Sequence, residues 1–302
     1  MKFNRQYRLL IQEKVGSSNS IEVQAVQNKS LTIQFDVVRD TGSSANNMTL
    51  RIYNLNHTNR SLIFQDRVAI QSTDKGKVYK KIVLQAGYDN LSTIFVGNIL
   101  EAYSYKQGAD IITYIRAQDG GFSIYNTYSS FSLQKGVNNL QLYQRLIKDM
   151  TENGLAQGVT APIVGSPKRA IVIAGNTWDC LQNSFNKLVF IDLEAINYLE
   201  ENQGIIAQVP FIDSSAGLLG TPRRSGATII VEMIFEPRII VGQLIELSSI
   251  TDLFFNGQFK VSGVQHVGII SSAVGGELKT VLQLYIGSKA LSPIATSNVL
   301  TF

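Results

Sequence analysis

The sequence predicts a mainly β protein with a minor helical segment, a β-rich α+β fold, on three observations. Apolar and polar residues alternate with a period of two through residues 31–120 and again from 225 onward. Glycine, asparagine, aspartate and proline interrupt this alternation about every ten residues, the spacing of an antiparallel barrel or sandwich. Helical periodicity is confined to the middle of the chain.

In LTIQFDVVRD (31–40), Leu31, Ile33, Phe35 and Val37 alternate with Thr32, Gln34 and Asp36, a half-buried strand. DTGSSANN (40–47) is a turn-rich connection, after which MTLRIYNL sets Met48, Leu50 and Ile52 on one face. Thr58 or Asn56 would then cap a short helical segment carrying Leu62 and Ile63, with His57 in the exposed turn between strand and helix. Further strands are predicted at KIVLQAGY (81–88), TIFVGNILEAYSY (93–105) and ADIITYIRAQDG (109–120), the last two joined by a hairpin at Gln107-Gly108.

In the middle, GVNNLQLYQRLIKDMTENG spaces Leu142, Leu146 and Met150 four apart, with Tyr143 and Ile147 widening the stripe and Gly154 closing the helix. Residues 154–176 read as a connector with one short strand. A second helix, NTWDCLQNSFNKL, carries Trp178, Leu181, Phe185 and Leu188 behind Asn176 or Thr177 as N-cap. Stripes of this kind pack cores far more often than they hold cofactors. Strands then return: VFIDLEAINYLEE as a hairpin around Leu193-Glu194-Ala195, two strands broken at Glu236-Pro237, and a final pair flanking Ala273–Gly276.

Of 302 residues, 44% are apolar and 17% charged, which fits a packed globular chain and excludes wholesale disorder. The length suits two domains or one large one. Basic residues outnumber acidic ones 27 to 23, yet they group tightly only in Lys75–Lys81 and in Lys168-Arg169 with Arg223-Arg224. A nucleic-acid surface would need a denser basic face interleaved with aromatics, so no specific nucleic-acid binding is expected. The basic start MKFNRQYRLLIQEK lacks the apolar core of a secretory signal, and no run reaches 18 apolar residues, so no membrane span is expected and folding in a cytoplasm is.

The single cysteine, Cys180, excludes an internal disulfide and a Cys-rich metal site, and its helical context suggests a buried structural thiol. No nucleophile elbow, phosphate loop, dinucleotide fingerprint or zinc-protease motif occurs. The two histidines, His57 and His266, lack the context of a catalytic base. Glycan cleavage needs only two carboxylates, and Asp192 with Glu194, Glu232 with Glu236, and Glu200 with Glu201 are possible pairs. Asp119-Gly120-Gly121 reads as a strand-terminating turn. No catalytic, cofactor-binding or metal site, and hence no cofactor or enzymatic activity, is expected.

RIYNLNHTNRSLI, VLQAGYDNLSTIFVGNI and YIRAQDGG, in that order, resemble the N-terminal half of bacteriophage baseplate hub proteins. The shared features are a strand ending in I-x-N-L, then A-G-Y, I-F-x-G-x-I and a strand closing on D-G. In the second half, NTWDCLQNSFNKLVFIDLEAINYL resembles the family's helix and hairpin. LLGTPRRSGATIIVEMIFEPRIIVGQLIEL and NGQFKVSGVQHVG resemble its closing β-domain. Residues 154–176 match no family element.

The resemblance implies two tail-tube-like antiparallel β-barrel domains: 1–132, then a helix and connector over 133–175, then 176–302 with its helix. It implies a structural protein of the virion, assembled in the host bacterial cytoplasm. Such a hub forms a homotrimer whose pseudo-sixfold ring adapts the hexameric tail tube protein to the central spike. The tape-measure protein lies nearby, and baseplate wedge proteins are further candidate partners. Two alternatives stay open: another component on the same scaffold, such as a distal tail protein or an injection-system hub, and a glycan-binding or glycan-cleaving β-protein, for which exposed aromatic platforms would speak. Trp178, the sole tryptophan, sits on a helical stripe instead.

Overall fold

The computed structural model describes residues 4–12, 20–24, 31–42, 45–64, 80–209, 211–251, 253–287 and 291–294. Residues 75–79 of the first basic group lie outside them. The N-terminal region carries β1 (Gln6–Gln12), β2 (Ser20–Gln24), β3 (Ile33–Asp40), β4 (Asn47–Tyr53), helix α1 (His57–Ile63), β5 (Lys81–Gly87), β6 (Leu91–Gln107) and β7 (Asp110–Gln118). The middle holds α2 (Gly121–Asn126), β8 (Tyr128–Leu133), α3 (Asn139–Thr151), β9 (Ala156–Thr160), β10 (Ile171–Asn176), α4 (Thr177–Ser184), β11 (Val189–Asp192) and β12 (Ala195–Tyr198). The C-terminal region adds β13 (Gln203–Ile205), β14 (Phe211–Ile212), β15 (Leu218–Ser225), β16 (Thr228–Ile234), β17 (Leu244–Leu247), β18 (Gly257–Ile270), β19 (Leu278–Tyr285) and β20 (Ser292–Ile294).

The protein is mainly β. Among the described residues, thirteen strands belong to one sheet, ordered β15-β16-β19-β18-β3-β4-β7-β6-β5-β1-β2, with β17 paired to β18 and β14 to β17. This sheet runs through both ends of the chain because β3 pairs antiparallel with β18, from Ile33 opposite Ile270 to Asp40 opposite Gly263. The alternation seen in the sequence is the two-faced burial of these strands. Ile33, Phe35 and Val37 of β3 and Met48, Leu50 and Ile52 of β4 are all buried, while their neighbours are partly exposed.

Two apolar clusters lie under the strands. One gathers Leu9, Phe35, Leu50, Leu84, Phe95 and Ile115 with Phe235, Ile270 and Leu278. The other gathers Leu146, Met150, Trp178 and Leu181 with Phe190, Ile191, Val231 and Leu282. Both predicted helical stripes therefore serve as core. Asn138 and Gln141 form a reciprocal capping box on α3, and the Asn176 side chain accepts from the Trp178 and Asp179 amides at the start of α4. Cys180 is half-buried with a free thiol.

Four local expectations change. Helix α4 ends at Ser184, so Phe185 and Leu188 lie beyond it, and Asn186 and Lys187 at positive φ turn the chain out of the helix. Residues 154–176 contain two strands rather than one: β9 pairs parallel with β12, and β10 pairs antiparallel with β8. The sequence AQGVT of β9 has no apolar alternation, so its pairing is set by the neighbour rather than by its own pattern. The β11–β12 turn is the two residues Leu193-Glu194, both at positive φ, instead of three. His57 is the first residue of α1, exposed, not a residue of the preceding turn.

Glycine is required where backbones close on each other. A Cβ on Gly97 would lie 2.4 Å from the Gln118 carbonyl oxygen across the β6–β7 pair, and one on Gly87 would lie 2.1 Å from the Asn90 carbonyl oxygen in the following turn. Replacing Gly97 by valine should force β6 from β7 and cost about 2–4 kcal/mol, read as a lower urea midpoint. An unchanged midpoint would show that the strands can part without penalty.

Candidate functional site: a buried polar junction

The polar residues drawn together inside the molecule lie where the N-terminal strands, the β11–β12 hairpin and β18 meet. Arg39 follows Ile33, Phe35 and Val37 on the inward face of β3 and is 1% exposed. Its Nη1 donates to Asp192 Oδ1 and Oδ2 at 3.2 and 3.3 Å, and its Nη2 to the Ile239 carbonyl at 2.8 Å. Nη2 also stands 3.4 Å from His266 Nε2, and Nε has no partner among the described residues. A guanidinium carries no acceptor, so Nε2 accepts and the imidazole proton sits on Nδ1, which donates to Thr280 Oγ1 at 3.0 Å. The same Thr280 oxygen accepts the Glu236 amide at 2.9 Å.

Asn46, in the β3–β4 turn, donates through Nδ2 to the Ile191 carbonyl at 2.8 Å, to Asp192 Oδ1 at 3.2 Å and to Asp119 Oδ2 at 3.4 Å. Its Oδ1 accepts the Asp40 amide. Asp119, just past β7, accepts the Glu194 amide at 2.8 Å, and Lys81 of β5 donates to the Glu194 carboxylate at 2.5 Å. Burial raises the Asp119 carboxyl well above the usual carboxylate range, and Asp192 beside it pushes the same way, against the Glu194 amide and Asn46. Burial also raises Asp192, opposed by Arg39 and the Val241 amide. Asp192 has the guanidinium, and among the described residues no cation pairs with Asp119, so Asp119 is the acid that keeps a proton more readily. His266 is held well below the ordinary imidazole value by burial first and by Arg39 second.

The residues singled out in the sequence go to separate places. Asp192 and Glu194 bind different cations. Glu232 pairs with Arg223 and Lys279, and Glu236 with Arg238. Glu201 takes the Tyr285 hydroxyl, and the Glu200 carbonyl accepts from Lys260, an amine that burial lowers to about 8. Lys168, Arg169 and Arg224 are exposed. Trp178 is buried. Among the described residues, no group of three or more His, Cys, Asp and Glu could hold a metal ion, and no helix is long and apolar enough to cross a membrane.

The family-marker residues turn out to be points of geometric constraint. Asn54, at φ 57°, donates to Asp110 and accepts the Ile111 amide, clamping the start of β7. Leu55 is buried, and Asn56 caps α1 by accepting the Asn59 amide. Of the junction, the sequence reading missed Arg39 and Asn46 and took Asp119 for a turn residue. Parity was the available signal: Arg39 occupies an inward position in a strand whose other inward positions are apolar, and His266 stands between the buried Val264 and Ile270 on β18.

The fold is shared with tail proteins. The 43 kDa tail protein of prophage MuSo2 from Shewanella oneidensis superposes with a TM-score of 0.60 at 8% identity, covering 92% of this chain and 96% of that one. A tail protein from Neisseria meningitidis MC58 gives 0.53 at 9% identity, with 94% and 97% covered. The E. coli c3393 protein, described as a component of the type VI secretion system, gives 0.52 at 10% identity, with 88% and 77% covered. No curated protein matches the chain by sequence. The family model described as "Baseplate hub gp41" matches residues 13–267, and the chain belongs to that family.

Replacing Arg39 by methionine should cost about 3–5 kcal/mol, because Asp192 would be left buried without its counter-charge. The double change Arg39→Met with Asp192→Leu should recover most of that loss. Urea unfolding of the three proteins measures the coupling, and additive losses would mean that the pair does not act as a unit. His57→Ala, on the exposed first turn of α1, should stay within about 0.5 kcal/mol of the parent.

Proposed function

We propose that this chain is the central hub of a phage tail baseplate, a homotrimer whose pseudo-sixfold ring adapts a hexameric tail tube to a trimeric spike. The observation that carries this reading is membership of the baseplate hub family over residues 13–267. Two apolar clusters joined by one sheet support it, since three chains would then present six β regions. On this reading the chain divides into β regions at 1–132 and 176–302 with the helical connector 133–175 between them. Its role is structural, and its partners are the tail tube protein, the central spike, the tape-measure protein and wedge proteins. It is assembled in the host bacterial cytoplasm and works in the virion. The similarity to a type VI secretion component favours one second reading, an injection-system part on the same scaffold.

Native mass spectrometry of the purified chain should give a species of three times the 33.3 kDa protomer, and co-expression should recover tube and spike proteins with it. A stable monomer that binds neither would refute the hub assignment. Cell-wall hydrolysis abolished by changing Asp192 or Glu194 would point instead to a glycan-cleaving protein.

A further inference from the structure

We propose that the β11–β12 hairpin is a proton-operated clasp between the two apolar cores, closed while the buried junction is neutral overall and released when it gains a charge of either sign. This inference rests on the junction alone and stands apart from the hub assignment.

The hairpin is rooted in one core and fastened to the strands around the other. Val189, Phe190, Ile191 and Ile196 are buried with the helices of the middle region. The turn reaches toward the N-terminal strands, where its hydrogen-bonded attachments are polar and come from four places. These are Arg39 of β3 on Asp192, Asn46 of the β3–β4 turn on the Ile191 carbonyl, Asp119 after β7 on the Glu194 amide, and Lys81 of β5 on the Glu194 carboxylate. The apolar contact accompanying them is Ile191 over Gly120, where an added Cβ would sit 3.1 Å from Ile191 Cδ1.

The charges count closely. Asp119, Asp192 and Glu194 are three carboxyls against two cations, Arg39 and Lys81, each already bound to one of them. With Asp119 protonated and His266 neutral the cluster sums to zero. Ionised Asp119 makes a third carboxylate on two cations, facing Asp192 and Glu194. Protonated His266 places an N–H against the Arg39 guanidinium at a position that is 0% exposed. The other groups facing His266 are Thr280 of β19, already accepting its Nδ1 proton, and Phe235. The Glu236 amide is committed to Thr280 and the Glu236 carboxylate to Arg238.

His266 is depressed in the closed state, so its contribution is present above about 6.5, the free imidazole value, and is lost as pH falls toward its closed-state value. Asp119 is raised, so its contribution is complete below about 3.9 and is lost as pH rises toward its closed-state value. Between these two limits the slopes cancel. Opening is therefore rarest across that interval, and it grows about tenfold per pH unit above about 6.5 and again below about 3.9.

Hydrogen exchange of the intact chain, corrected for the intrinsic pH dependence of exchange, tests this with the amides of Val189–Tyr198 as reporter and those of β6 as internal reference. The wild type should show the flat interval with weaker protection on both sides. Asp119→Asn should abolish the weakening above about 6.5 and leave opening that grows as soon as pH falls below that value. His266→Gln should do the converse, with protection that improves steadily down to about 3.9. Hairpin protection that follows β6 at every pH would overturn the proposal, as would either variant keeping the wild-type profile. Should His266→Gln fail to fold, wild type against Asp119→Asn above about 6.5 decides the matter, since an unchanged slope there sinks it.

Discussion

A guanidinium placed at the inward end of a core strand has to find its counter-charge inside the protein, and much of the arrangement around Arg39 follows from that. β3 supplies four consecutive inward positions, three of them apolar and the fourth arginine. Desolvating that cation alone would cost several kcal/mol. Asp192, the Ile239 carbonyl and the His266 ring nitrogen together offset the cost, and they come from residues 153, 200 and 227 positions further along the chain. An interaction local to β3 could not have done this. The ion pair is thus a device by which one strand recruits the hairpin and the C-terminal sheet to a single place.

Glycine and asparagine impose the second constraint. At Gly87 and Gly97 the space for a Cβ is filled by a carbonyl oxygen. At Gly268, with φ 158°, the Glu277 carbonyl oxygen would lie 2.4 Å from a Cβ, and at Gly242, with φ 86°, Leu199 Cδ1 would lie 2.7 Å away. Asn54 takes a left-handed conformation and uses both ends of its amide on β7. These are the residues that gave the sequence its resemblance to baseplate hubs. Each sits where a strand turns, bulges or approaches a neighbour too closely for another side chain. The same fold occurs at 8–10% identity in tail proteins and a secretion component, so it tolerates replacement at most positions.

Much of the strand layout was legible because half-buried strands write their faces into the sequence. Met48, Leu50 and Ile52, or Val231 and Met233, can be read by parity alone. The helical stripes were legible too, with Asn176 one of the two candidate caps, although the second helix stops at Ser184, short of Phe185 and Leu188. What stayed hidden depended on partners distant in sequence. Only one of the two strands β9 and β10 was expected, since β9 has no alternation of its own and is a strand because β12 lies beside it, and the pairing of β3 with β18 joins residues more than two hundred positions apart. The junction was hidden for the same reason. Asp192 and Glu194 look like a pair on one strand, but the turn between them sends one to Arg39 and the other to Lys81.

A polar seam also answers a problem that an apolar seam would leave open. β3 and β18 meet as strands with inward valines, isoleucines and phenylalanine on both sides, and side chains of that kind pack acceptably in more than one register. A slip by one residue would turn every inward group outward, and a slip by two would keep the apolar faces together. Arg39 makes the second possibility costly, because a two-residue slip would displace the guanidinium by about 7 Å along β18 and away from its present contacts with the Ile239 carbonyl and Asp192, leaving a buried charge without them. The ion pair adds little net stability over a well-packed apolar substitute. Its contribution is to make one register of the sheet cheaper than its neighbours, and so to fix how the two ends of the chain are joined.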